Sequence, residues 1–342
     1  MENGVRRDHL VDLARAFIDI DSTTGREGVA CAFLASELRS RGFRVTEQVV
    51  SDGRSNLLAV LDPAPTVVLS THVDCVPPFF PSRVADGMLH GRGACDAKGA
   101  LAAQVLAAER LCEAGEEKVG LLFVVGEERG SDGALAANQL APGARFLVNG
   151  EPTGSRLGFA TRGVLRVKLL ATGRAAHSSQ PGRGVSAIDR LIDALVELRR
   201  IALPQDAALG KTFYSIGLVS GGIAPNVISP SAEAELLFRT VGPGRDVLAC
   251  LVPLEARVAV GFVLDVPPVR LRTLPGFDVE SFALTTDIPL LTRWGEPLLF
   301  GPGSILDAHT DDDRVGIAEL EAAADTYTAI AKALLAETET HV

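Results

Sequence analysis

The stretch Thr66-Val-Val-Leu-Ser-Thr71-His72-Val-Asp74 decides how the rest of the chain is read. Its first six residues are rich in Val and Leu and carry no charge, the pattern of a strand buried on both faces of a sheet. The run ends on an imidazole and, two residues later, a carboxylate. Residues two apart on an extended chain project to one side, and open α/β sheets place their sites at the carboxyl ends of strands. A lone His-x-Asp is a weak sign of function, so the question is whether the flanking segments build the same sheet and deliver more such groups.

On the N-terminal side, Leu10, Leu13, Ala14, Phe17 and Ile18 recur at helical spacing. Thr24-Gly25-Arg26-Glu27 fits a capping box and predicts a second helix that stops at Gly42. Strands are expected over residues 43–50 and 56–61. On the other side, a polar loop runs through Gly93 and a helix follows over 97–112. Buried strands are then expected over 119–125 and 145–148, with a short helix between them. Strands alternating with helices predict an α/β domain with a largely parallel sheet.

From Gly163 the character changes. Strands over 164–171, 212–219, 232–240 and 261–270 and helices over 184–200 and 246–258 give the order β-α-β-β-α-β, a ferredoxin-like α+β domain complete in itself. It reads as an insertion. A Pro- and Gly-containing return over 271–277 leads back, and an Ala-rich helix over 314–335 packs on the first domain. The expected division is 1–162 and 272–342 for the larger domain and 163–271 for the inserted one.

Composition narrows the function. The 342 residues are 47% hydrophobic and 22% charged, near the average for folded chains, so disordered, collagen-like and coiled-coil readings fail. Thirty-three Lys and Arg against 43 Asp and Glu give a net charge of −10, without the basic footprint of nucleic-acid binding. Cys31, Cys75, Cys95, Cys112 and Cys250 are odd in number and scattered, which points to a reducing, cytoplasmic compartment. Residues 1–15 carry charges throughout, and no apolar run approaches the roughly 18 residues needed to cross a bilayer, so neither export nor membrane insertion is expected.

Of the six histidines, His9 and His341 lie near the termini, leaving His72, His90, His177 and His309 as candidates for chemistry. Gly91-Arg-Gly-Ala-Cys-Asp96 superficially resembles a phosphate loop, but Asp96 replaces the third glycine and would repel pyrophosphate. Taken alone, Asp96 reads as a helix cap. Glu127-Glu128 closes the apolar run 121–125, and Glu151 follows the run ending at Val148. Carboxylates gathered at neighbouring strand ends oppose one another's ionisation unless cations lie between them. Either each acid faces water, or they form a metal site; the convergence with His72 and Asp96 favours the metal. His309 sits in Asp307-Ala-His309-Thr-Asp-Asp-Asp313, where the acids could equally serve the dipole of the last helix. Cys75 and Cys95 read as small packed residues and His90 as structural. No G-x-S-x-G elbow supports a serine hydrolase.

Together, His72-Val-Asp74, Gly91-Arg-Gly-Ala-Cys-Asp96-Ala-Lys-Gly99, Glu127-Glu128, Glu151-Pro-Thr, Gly173-Arg-Ala-Ala-His177 and Ala308-His309 resemble the M20 family of metallopeptidases and amidohydrolases over essentially the whole chain. The glycine-rich segment and Gly301-Pro-Gly-Ser304 are most similar to the acetylornithine deacetylase and succinyl-diaminopimelate desuccinylase branch. The resemblance implies a Zn-peptidase-like three-layer catalytic domain with an inserted lid and dimerisation domain. It also implies two zinc ions per subunit, with cobalt or manganese as alternatives. Asp96 would bridge them, His72 and Glu151 would complete one, and Glu128 and His309 the other. Glu127 would be the general base, Asp74 the carboxylate orienting His72, and His177 the stabiliser of the oxyanion. Asn226 and Arg239 would bind substrate. Where relatives carry an Asp-Glu pair, Asp313 replaces the Glu. The expected activity is hydrolysis of an N-acyl amino acid of the acetylornithine type by a homodimer joined through the inserted domain. The alternatives are a dipeptidase or carboxypeptidase acting on short peptides, a succinyl-diaminopimelate desuccinylase or, in another class, a non-catalytic metal-binding module.

Overall fold

The computed structural model describes residues 2–339, so His341 lies outside the described residues. The chain divides into two units. The first holds the residues up to Phe159, Leu271–Glu280 and the segment from Thr286 onward; the second holds Ala160–Arg270 and Ser281–Thr285.

In the first unit, Val67–His72 is buried at every position and forms the centre of a mixed sheet. It pairs in parallel with Val119–Val124 on one side and Phe146–Asn149 on the other, and Glu296–Leu299 continues the parallel set beyond Phe146–Asn149. Arg54–Val60 and Arg44–Ser51 close one edge as an antiparallel hairpin. The predicted parallel character therefore holds for the centre, while the edge strand Arg44–Ser51 is solvent-facing along much of its length.

Alternation along each strand divides the unit into three layers. Val67, Leu69, Leu121 and Phe123 point into a core with the helices Glu2–Ile18, Gly28–Ser40, Gly99–Glu113 and Ile317–Glu339. Val68, Leu122, Val124 and Leu147 point the other way, onto Ala134, Leu291 and the fully buried Trp294. Each such Leu or Val contributes about 1.5–3 kcal/mol of burial, so a one-residue register slip would exchange the two cores and is strongly disfavoured.

Several local expectations change. The segment 24–27 is not a capping box: the helix begins at Gly28, and Glu27 makes no side-chain cap. The Thr24 hydroxyl donates instead to Asp74 Oδ2 (2.8 Å), and Glu27 is engaged by the Arg54 guanidinium at 3.0 Å. The polar loop before Gly93 contains two short strands, Arg83–Ala85 and Met88–His90. Arg314–Gly316 pairs with Met88–His90, so the last helix starts at Ile317 rather than at 314. Lys98 is fully buried, with Nζ donating to the carbonyls of Phe17 (3.1 Å) and Ile20 (3.0 Å) at the end of the first helix.

The second unit is a four-stranded antiparallel sheet in the order Phe213–Gly221, Ser231–Thr240, Gly163–Thr172, Ala259–Val266. Ala187–Leu198 and Gly244–Leu251 supply its two helices. Leu165, Val167, Leu236 and Phe238 meet Leu191, Ala194, Val247 and Leu251 in one core, the ferredoxin-like arrangement. The first helix starts later than the expected 184 because the Ser186 hydroxyl accepts the Asp189 amide (3.1 Å) and sets the N-cap there.

Candidate metal centre

The carboxyl ends of the parallel strands carry the site. His72 closes Val67–His72, and its Nε2 lies 3.0 Å from Asp96 Oδ1. Its Nδ1 is 3.0 Å from the Asp74 carbonyl oxygen and 3.6 Å from the Asp74 carboxylate, so the backbone oxygen is the hydrogen-bond partner. The Asp74 carboxylate is used mainly elsewhere. It accepts the backbone N–H groups of Glu127 (3.1 Å) and Glu128 (3.2 Å), pinning the turn that leaves Val119–Val124. That turn enters through Gly126 at φ +80°, a conformation that favours glycine, where a Cβ would also displace the Asp132 carboxylate.

Asp96 arrives from a loop held by Asp313. The buried Asp313 carboxylate accepts the N–H groups of Gly93 (2.8 Å) and Cys95 (2.9 Å) and pairs with the fully buried Arg92 at 3.3 Å. This is the work of the acid where the family pattern departs, and it is not a helix-dipole contact. Nor does Asp96 cap a helix: the helix begins at Gly99, Lys98 holds its N-cap position, and no side chain caps it. Its second oxygen, Oδ2, lies 3.3 Å from His309 Nε2, which in turn lies 3.0 Å from Glu128 Oε1. His309 has φ +62°, an unfavourable conformation for a side chain other than glycine and one concentrated at functional sites.

Two groups result, His72 with Asp96 and Glu151, and Asp96 with Glu128 and His309. Within each, the candidate donor atoms lie within 4.8 Å of one another. Imidazole and carboxylate without thiolate suit zinc, cobalt or manganese. Glu151 Oε1 is buried with no hydrogen-bond partner, a costly state for a carboxylate oxygen unless a cation satisfies it. The donor set therefore fits a metal.

The charges are interdependent. Burial pushes the Glu127 and Glu151 carboxyls well above the usual carboxylate range, with the charges of Asp96 and Asp287 adding to the shift and His72 opposing it. Burial opposes protonation of His72, but Asp74 and Asp96 raise it well above an ordinary imidazole. Hydrogen bonds to Asp96 and Glu128 raise His309 to about 10. Without a metal, protons thus supply the positive charge that the acids require.

Sequence reasoning missed Asp287. It is buried, its Oδ1 has no partner, and burial raises its carboxyl to about 6. It follows Thr285-Thr286 rather than an apolar run, so no strand-end signal marks it. His90 does find an acid, with Nδ1 2.9 Å from Asp312 Oδ1, but that partner lies 222 residues away. Cys75 and Cys95 are buried, and Cys95 Sγ donates to the Ser304 carbonyl (3.2 Å), in keeping with packing.

The other predicted residues belong to the second unit. His177 and Asn226 lie on neighbouring segments, joined by the Ser178 amide donating to the Asn226 carbonyl (3.0 Å). The Ser179 N–H donates to His177 Nδ1 (3.2 Å), which leaves Nε2 as the protonated nitrogen of the neutral ring. Arg239 stands on Ser231–Thr240 with a buried, unpartnered Nη1, and burial lowers its pKa.

Imidazoles and carboxylates gathered at the ends of parallel strands, with a second glutamate beside them, define a class: a metal-dependent hydrolase. A sequence profile of Peptidase family M20/M25/M40 matches residues 68–333, and the chain belongs to that family, whose members hydrolyse amide bonds. A Schizosaccharomyces pombe peptidase M20 domain-containing protein is 37% identical over 92% of this chain and 82% of its own length. A probable carboxypeptidase of Aspergillus clavatus is 33% identical over 99% and 85%. Aminopeptidase PepT of Bacillus cereus shares the fold with a TM-score of 0.82 at 20% identity, covering 96% of this chain and 99% of that one. Among the described residues, no helix is long and apolar enough to cross a membrane.

Proposed function

We propose that the chain is a dizinc exopeptidase of the carboxypeptidase or dipeptidase kind, acting on short peptides. The observation that carries this is Asp96 presenting one oxygen to His72 and the other to His309, so that a single carboxylate belongs to both donor groups. The names of the similar fungal chains favour peptides over the acetylornithine reading. Glu127 and every expected ligand are present, which counts against a non-catalytic metal-binding module.

His72, Asp96 and Glu151 would hold one ion and Asp96, Glu128 and His309 the other. Bound zinc supplies Lewis acidity and makes hydroxide available near neutral pH. Glu127, with a carboxyl already prone to protonation, takes the proton of the attacking water and returns it to the leaving amine. The family resemblance assigns His177 to the developing oxyanion, a role in which its Nε2–H would be the donor. The family resemblance assigns Arg239, whose Nη1 is buried without a partner, to a substrate carboxylate, and Asn226 to the reacting carbonyl.

We further propose a homodimer through the second unit. Its edge strand Phe213–Gly221 exposes Phe213, Leu218 and Val219, and the helix Ala187–Leu198 exposes Ile188, Ile192 and Val196. An unpaired edge of this kind is normally covered. Sedimentation at micromolar concentration should give a dimer; a monomer alone contradicts it.

The activity is tested with one panel of dipeptides, tripeptides, N-acetylornithine and N-succinyl-diaminopimelate, each with zinc, cobalt and manganese. Peptide turnover that is lost on chelation and restored by metal is expected. Turnover of the acylated amino acids alone overturns the peptidase reading.

A further inference from the structure

A cavity of about 600 Å³ opens beside Glu128, bordered by Thr24, Arg26, Pro77, Phe79 and Arg129, all within the first unit. The prolines and the ring of Phe79 offer apolar surface, while two guanidinium groups supply positive charge and the carboxylates of Asp21 and Glu128 negative. The two cations differ. Arg26 is already neutralised by Asp21 at 3.0 Å, and Asp21 is itself fixed by the Thr23 amide and hydroxyl. Arg129 forms no side-chain hydrogen bond or ion pair among the described residues. Its backbone is nevertheless anchored, because the Arg129 amide donates to the Gly126 carbonyl (3.2 Å) in the turn that Asp74 pins. An unspent guanidinium on a fixed backbone, one residue from a candidate metal ligand and lining a cavity, is placed to meet an anionic part of whatever reaches that ligand. Guanidinium groups bind carboxylates in forked geometry.

We infer that Arg129 selects substrates bearing a side-chain carboxylate, held in this cavity with its alkyl stem against Pro77 and Phe79. The inference deepens the proposed peptidase function and rests on it. The carboxylate could belong to the acyl-side residue or to the leaving residue, and two isosteric pairs separate these sources: Glu-Ala against Gln-Ala, and Ala-Glu against Ala-Gln.

With zinc-loaded enzyme, the acidic member of one pair should be preferred in kcat/KM by roughly tenfold, carried mostly by KM, as suits a charge-assisted contact. Arg129→Ala should bring that ratio close to one, and Arg129→Lys should restore part of it. A ratio near one for both pairs in the native enzyme, or a ratio that survives Arg129→Ala, overturns the inference. Calorimetric binding of the same four dipeptides to zinc-loaded Glu127→Gln protein, with and without Arg129→Ala, reads the preference without turnover. Should no peptide be cleaved, the peptidase reading fails, while the binding ratios still decide the role of Arg129.

Discussion

The two halves of the candidate centre are built differently. His72, Asp96 and Glu151 are all buried, and His72 and Glu151 lie at or just beyond strand ends inside the sheet. In the other half Asp96 is shared, but Glu128 sits on a three-residue turn and His309 is an exposed loop residue in a left-handed conformation. A buried carboxyl oxygen without a partner gains a satisfying contact when an ion displaces the proton, in surroundings where little water competes. In the exposed half His309 is open to solvent, and water competes for its donors. The buried half should therefore hold its ion more tightly, with Asp96 coupling the two.

The largest effect is expected from Glu127→Gln. Loss of the base should lower kcat by on the order of 10²–10⁴-fold with zinc content unchanged, as read by steady-state kinetics alongside elemental analysis. Activity near the native level would remove Glu127 from the mechanism. His309→Ala should separate the halves: the ion at the exposed half is lost on dialysis while that at His72 and Glu151 stays. Loss of both ions at once would contradict the ranking of the two halves.

Asp313→Ala probes what holds the shared ligand. Two backbone N–H groups and the buried Arg92 would lose their acceptor, at a cost of about 3 kcal/mol in urea unfolding. A loss below about 0.5 kcal/mol would mean that the Gly91–Asp96 loop stands without it.

The smallest effect concerns pH in metal-free protein. Asp287, raised from 3.8 to about 6, holds more proton folded than unfolded between those values. His309, raised from 6.5 to about 10, does so across that higher window. In both cases stability is present at the lower pH and is lost as pH rises toward the folded value. Because the His309 window spans this range, the Tm of chelated protein should be higher at pH 6 than at pH 9, and zinc should shrink that gap because it competes with the same proton. A Tm that rises with pH over this range would contradict the charge assignment.

The same contrast explains what could be read from the sequence. Val67–His72 and Phe146–Asn149 open on apolar runs, Val67-Val-Leu69 and Phe146-Leu-Val148, so the strand ends, and with them His72 and Glu151, stand out from local pattern alone. Asp96 does not: its likeness to a helix cap fails because the helix begins only at Gly99, with Lys98 at its N-cap, while Asp313 holds the neighbouring Gly93 and Cys95 amides from more than 200 residues away. Glu128 shares the strand-end signal of the apolar run 121–125, whereas His309 is recognisable as a ligand by family resemblance rather than by periodicity. Asp287 carries neither sign, because its burial comes from tertiary packing and not from an apolar segment. Thr24 shows the opposite error, a local motif with the right letters whose hydroxyl is claimed by Asp74 across the fold.

Zinc counted per chain in native protein and in Asp96→Ala, by elemental analysis after exhaustive dialysis, tests the shared carboxylate most directly. Two ions in the native chain and fewer than one in the variant are predicted. Equal zinc in both proteins would show that Asp96 joins nothing, and that the two donor groups are not one centre.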